Sequence, residues 1–226
     1  MATFVLIHGA GDVGWYWHLV EARLRARGHD VVAPDLPCDD DAAGLPEYAD
    51  AVVDAVDRTG LVVVGQSLGG FVAPLVCDRL PVEVLVLVAP MIPAPGEAPA
   101  DHWERTGYAD EPREPVDGEV ELFYQDVEPG LAAEAVARGR RQSETRLGEP
   151  SPLRAWPDVP THVVLCRDDR LLPPTLLRRV ARDRLGVTPD ELDAGHTPAL
   201  SRPDELTDLL VRYADEHGDR VAPSGA

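Results

Sequence analysis

The chain has 226 residues, enough for one sizeable hydrophobic core and too few for two ordinary enzyme domains. Hydrophobic residues make up 44%, which predicts a globular fold, and a formal charge of −19 argues against nucleic acid and anionic membrane surfaces as partners. Lysine and asparagine are absent, which excludes Schiff-base chemistry and N-glycosylation.

The first apolar run, Thr3–Ile7, predicts a strand. It is too short for a signal peptide and lacks a basic flank. No apolar stretch is long enough to span a membrane. Cys38, Cys77 and Cys166 are odd in number, far apart and without zinc-ligand spacing. These features predict a cytoplasmic protein with no disulfide framework and no metal.

A helix is expected over Trp15–Arg27, with Asp12 near its start and Gly28 as its stop. Asp30–Ala33 predicts the second strand. Pro46–Arg58 predicts a helix ending near Gly60, and Leu61–Gly65 a third strand. A helix follows Ser67, with a kink expected at Pro74. Val82–Val88 predicts the fourth strand, His162–Cys166 the fifth and Pro189–Leu192 the sixth. Several of these runs are continuously apolar, the pattern of a parallel sheet buried on both faces. Ser201-Arg202-Pro203-Asp204 resembles a capping box opening a last helix through Tyr213.

Residues 91–160 break this α/β rhythm. They are rich in proline, glycine and acid, turn helical over Pro129–Gln142, and carry Trp103, Tyr108, Phe123 and Tyr124 for packing. A long irregular insertion in a compact domain is usually functional or disordered. We read 91–160 as a cap over a core of 1–90 and 161–217, with 218–226 a loose tail.

The chemistry centres on Gly65-Gln66-Ser67-Leu68-Gly69-Gly70, directly after the third strand. A G-x-S-x-G between strand and helix is a nucleophile elbow, whose glycines permit a tight, strained turn. Ser67 is the candidate nucleophile. A serine nucleophile needs a base, and the base an acid to orient it; in this arrangement the chain order is serine, acid, histidine. Of seven histidines, His196 alone falls in a loop after a late strand, Asp193-Ala194-Gly195-His196-Thr197-Pro198. The acid should follow the fifth strand, where Asp168 and Asp169 are adjacent. Neighbouring side chains in extended backbone point opposite ways, so only one can face His196, and Asp169 is preferred. For the oxyanion, the Leu68 N–H is one donor, and the loop His8-Gly9-Ala10-Gly11 supplies the other, at Ala10. Trp15, Trp103 and Tyr124 are candidate pocket residues.

These residues resemble the α/β-hydrolase superfamily over nearly the whole chain. His8-Gly9-Ala10, Gly14, Trp15 and Trp17 are similar to the H-G-A-x-x-G-x-W-x-W opening of the plant methylesterase and hydroxynitrile lyase branch. Gly65 to Gly70 resembles its G-H-S-L-G-G, with Gln66 in place of histidine. Cys166-Arg167-Asp168-Asp169-Arg170 resembles its acid loop, where the carboxylate precedes a basic residue, which favours Asp169. Gly195-His196 with Pro198 to Pro203 looks like the base loop of small bacterial members. The resemblance implies an α/β-hydrolase fold, with a mostly parallel sheet of about six strands between helices and a small cap. It implies a carboxylic ester hydrolase acting through an acyl-enzyme on a small-molecule ester, with no cofactor. Two departures stand out. The leading antiparallel strands of the superfamily have no counterpart before Thr3. The lysine that follows the catalytic histidine in the branch's hydroxynitrile lyases is Thr197 here, which argues against that lyase chemistry. A lyase, cyclase or thioesterase on the same fold, or a non-hydrolytic ligand-binding protein, is the alternative.

Overall fold

A computed structural model describes residues 1–113 and 115–218. Six strands form one sheet in the order β2-β1-β3-β4-β5-β6. They are β1 (Thr3–Ile7), β2 (Asp30–Val32), β3 (Leu61–Gln66), β4 (Val82–Val88), β5 (Thr161–Cys166) and β6 (Asp190–Leu192). Every pairing is parallel. The sheet is therefore the parallel one, buried on both faces, that the continuous apolar runs predict, and its strand number and order fit the α/β-hydrolase fold that the resemblance implies.

Side chains alternate across a strand, and the core divides accordingly. Val5, Ile7 and Val63 point into one apolar layer, while Phe4, Leu6, Val62 and Val64 point into the other. The first layer is covered by α2 (Leu45–Asp54), α3 (Gly69–Cys77) and α7 (Pro174–Leu185), through Tyr48, Phe71 and Val180 among others. The second is covered by α1 (His18–Ala26) and α9 (Pro203–Gly218), through Leu24, Leu206 and Tyr213. Between β4 and β5 lie α4 (His102–Arg105), α5 (Glu119–Phe123) and α6 (Pro129–Arg138).

Local details depart from expectation. The first helix begins as a 3-10 turn, Gly14–Trp17; Asp12 lies just before it, and its carboxylate accepts from the adjacent Val13 N–H at 2.8 Å. Gly28 does stop α1, at φ +84°. Ser201 is not a cap either. It ends the short α8 (Pro198–Ser201), and its hydroxyl is buried without a partner among the described residues. The last helix runs to Gly218 and so includes His217; of the expected tail, 219–226 lie outside the described residues. Cys38, Cys77 and Cys166 are free thiols. No described helix is long and apolar enough to cross a membrane.

The strand order reverses at β1. The chain passes from β1 to β2 on one side, then returns to β3 on the other, with Ile7 paired to Gly65. Open parallel sheets form a crevice at such a switch point, beyond the carboxyl ends of the strands. The loops carrying His8 to Gly11 and Ser67 both leave the sheet there.

Candidate active site

Ser67 follows β3 with φ +51°, one of two non-glycine residues at positive φ among those described. Such a conformation costs a non-glycine residue of order 1–3 kcal/mol and persists only where its surroundings hold it. Here they do: the Ser67 N–H donates to the Val88 carbonyl at 3.2 Å, and the Ser67 carbonyl accepts from Met91 N–H at 3.0 Å. The flanking glycines serve close approach rather than turn flexibility. A Cβ on Gly65 would lie 2.5 Å from the Gly69 oxygen, and one on Gly70 would overlap the Met91 carbonyl oxygen. The strain sits on the serine and the glycines supply room around it.

His196 and Asp169 meet across 27 residues of sequence, Nδ1 to Oδ2 at 2.8 Å, with both side chains buried. The other carboxylate oxygen, Oδ1, accepts from the Leu171 and Leu172 N–H groups, each at 2.9 Å. Asp169 is thus pinned on one side by backbone donors and turns its free oxygen to the imidazole. Asp168 is exposed.

Ser67 and His196 share a cavity of about 330 Å³ with Ala10. Apolar walls come from Met91, Trp103, Phe123, Tyr124 and Leu171, while Asp12, Glu119, Arg140 and Gln142 add polar surface. Burial pushes the Asp12 carboxyl up to about 6. Trp15 is not on this wall. It stacks on His18 at 4.2 Å under the Arg138 guanidinium, because the 3-10 turn carries it away from the crevice. A larger cleft of about 560 Å³ reaches Asp169 from outside but touches neither Ser67 nor His196, so the smaller cavity is the candidate site.

The loop after β1 is held from below and above. His8 is fully buried; its Nε2 accepts from Leu36 N–H at 3.0 Å, so Nδ1 carries the proton and donates to the Gly9 carbonyl at 2.8 Å. From the segment between β4 and β5, Gln142 Oε1 accepts from Gly11 N–H at 3.1 Å, and Arg140 N–H donates to the Gly11 carbonyl at 2.7 Å. Neither Ala10 N–H nor Leu68 N–H has a hydrogen-bond partner among the described residues.

Several contributors were given no site role from the sequence. Gln66 donates from Nε2 to the His196 carbonyl at 3.1 Å, joining the elbow to the base loop. Thr197 Oγ1 donates to the Phe123 carbonyl at 2.6 Å, Gly195 N–H to Asp126 Oδ2 at 2.8 Å, and Gln125 Nε2 to the Asp168 carbonyl at 2.7 Å. The stretch 123–126 therefore clasps both the acid loop and the base loop. Only the aromatics Phe123 and Tyr124, the latter as a candidate pocket residue, marked it in advance.

Residues 4–209 match the family model described as "Alpha/beta hydrolase family". The chain belongs to the α/β-hydrolase family. Among curated members it is similar to Methylesterase 7 of Arabidopsis thaliana, 27% identical, with 95% of this chain and 96% of that protein covered. It is also similar to the probable esterase PIR7A of rice (Oryza sativa subsp. indica), 37% identical, but that match covers 42% of this chain and 41% of the rice protein. The solved structure of a pyrethroid hydrolase from Sphingobium faniae JZ-2 superposes with a TM-score of 0.76 at 25% identity, covering 96% of this chain and 99% of that one. Polyneuridine aldehyde esterase shares the fold, with a TM-score of 0.80 at 19% identity over 94% of this chain and 98% of that one. These relatives are named as esterases and hydrolases, the class that the plant methylesterase resemblance implies.

Proposed function

We propose that this chain hydrolyses a small carboxylic ester through an acyl-enzyme on Ser67, with His196 as base and Asp169 as its orienting acid. The 2.8 Å bond between His196 Nδ1 and Asp169 Oδ2, behind a cavity that His196 shares with Ser67, carries this reading. With Nδ1 committed to Asp169, His196 keeps Nε2 as the basic nitrogen. It takes the Ser67 proton as the hydroxyl attacks the ester carbonyl. It then returns that proton to the departing alcohol and activates water for deacylation. The Asp169 carboxylate stabilises the imidazolium formed in between.

The tetrahedral oxyanion is received by the N–H groups of Ala10 and Leu68. Each such donor is worth about 3 kcal/mol of transition-state stabilisation. Residues 91–160 act as a cap, since Trp103, Phe123 and Tyr124 close the cavity from that segment. At about 330 Å³ the cavity sits at the small end of ligand sites. A methyl or other short-alcohol ester suits that volume and the methylesterase names of relatives such as Methylesterase 7.

A second reading has one observation in its favour. Norfluorocurarine synthase 2 of Strychnos nux-vomica is 24% identical over 94% of this chain. The same serine machinery could therefore start a synthase sequence rather than a simple hydrolysis.

The test is turnover of a short-chain p-nitrophenyl ester, with labelling by a fluorophosphonate, in wild type and Ser67→Ala. Both signals should vanish in the variant. Folded wild type with neither signal would remove the esterase reading.

A further inference from the structure

His162 and His217 stand apart from the candidate active site. His162 is the second residue of β5, at the end of the sheet opposite the loops that carry Ser67 and His196, and His217 lies in the last turn of α9. Their Nε2 atoms are 3.0 Å apart. A carboxylate oxygen of Glu216 completes a group whose three ligand atoms all lie within 4.8 Å of one another.

Two neutral imidazoles at this distance can share one proton. The same two ring nitrogens can instead turn their lone pairs onto one cation, with the Glu216 carboxylate beside them. The His162 ring is held in place from the other side. It stacks on Tyr213 at 4.0 Å and 16°, and the Tyr213 hydroxyl donates to Asp190 at 2.6 Å. Two nitrogens bound tetrahedrally to one zinc at about 2.0–2.1 Å stand roughly 3.3–3.4 Å apart, so the pair need open by only a few tenths of an ångström. Glu216 is half exposed, and Arg212, its cationic neighbour at 3.8 Å, is held more closely by Asp190 at 2.9 Å.

We propose that His162, His217 and Glu216 form a binding site for a borderline divalent transition-metal ion, with Zn²⁺ the best match. Imidazole suits zinc, copper and nickel, whereas calcium and magnesium require oxygen cages. Three protein ligands leave one coordination position for water. The ion fastens the last turn of α9 to the start of β5. Its effect is on the anchoring of the C-terminal helix and not on chemistry at Ser67, which lies at the other end of the sheet.

The test uses the untagged, full-length chain stripped with EDTA. Zn²⁺ is titrated calorimetrically into wild type, His162→Ala, His217→Ala and Glu216→Gln, with circular dichroism checking the fold. Wild type should bind one Zn²⁺ at this site and melt at higher temperature as Zn²⁺ rises. Both histidine variants should lose that binding and that shift, and Glu216→Gln should bind more weakly. Equal binding by wild type and His162→Ala/His217→Ala would move the ion to a thiol or the acidic surface and overturn the proposal, as would no binding by wild type. Should a variant fail to fold, ¹⁵N NMR of wild type decides. Zn²⁺ must shift the His162 and His217 Nε2 resonances and leave those of His8 and His102 in place; unshifted His162 and His217 resonances overturn the assignment.

Discussion

Asp168 and Asp169 are chemically identical neighbours, and burial and hydrogen bonding separate their surroundings. Asp169 has its Oδ1 tied by two backbone N–H groups and its Oδ2 aimed at His196, while Asp168 faces solvent. Asp169→Asn should therefore lower kcat on a p-nitrophenyl ester by about 10⁴-fold, since an amide no longer fixes the imidazole tautomer. Asp168→Asn should stay within a few-fold of wild type. His196→Ala should cost several orders of magnitude with the fold intact. Equal losses in the two aspartate variants would remove Asp169 from its role. Gln66 acts at the same scale without touching a reacting atom. Its amide supports the His196 carbonyl and so positions the base loop against the elbow.

The elbow is an arrangement of elements in which β3, α3 and the exit of β4 converge. Three backbone segments meet where side chains beyond hydrogen would collide. A Cβ on Gly70 would overlap the Met91 oxygen, a backbone atom that cannot rotate away. Gly70→Ala should destabilise by about 1–3 kcal/mol or more in denaturant unfolding. Gly148 is exposed, and a Cβ there would meet nothing within 4 Å, so Gly148→Ala should stay within about 0.5 kcal/mol. If both variants unfold alike, close packing does not explain the glycine. The stretch 123–126 shows the same logic between elements. It bonds to the loops after β5 and β6, so the segment that walls the cavity also holds the acid and base loops together.

For the whole molecule, His8 and Asp12 pull the pH dependence of stability in opposite directions. Burial pushes His8 down to about 4 from an ordinary 6.5. Between those values the unfolded chain binds a proton that the native chain refuses, so His8 makes stability fall as pH drops from 6.5 to 4. The ceiling on this effect is about 3 kcal/mol. Asp12 opposes it. Raised from 3.8 to about 6 by burial, its carboxyl holds a proton in the native chain that the unfolded chain has released, so its cost is relieved as pH falls through 6. Urea unfolding from pH 7.5 to 5 should show a shallower acid loss in His8→Gln and a steeper one in Asp12→Asn. Unchanged slopes in both would refute the assignment.

Much of the site was legible because its parts are local. A strand, a tight turn and a helix N-terminus are written in consecutive residues, so β3, Ser67 and Leu68 can be read from one peptide. The apolar runs determined the parallel α/β sheet, since strands buried on both faces cannot alternate with polar residues. The loop histidine after a late strand pointed to His196 and the adjacent acids to Asp168 or Asp169, and it is Asp169 that meets the His196 imidazole. What remained hidden depends on contacts between distant residues. Gln142 reaches Gly11 across 131 positions, and His162 meets His217 across 55. Trp15 reads as a pocket residue until the 3-10 turn rotates it onto His18. Periodicity and turn chemistry report each residue's immediate neighbours along the chain. Which carboxylate faces the imidazole, which walls close the cavity and which histidines pair are decided only when the sheet brings its loops and helices together in space.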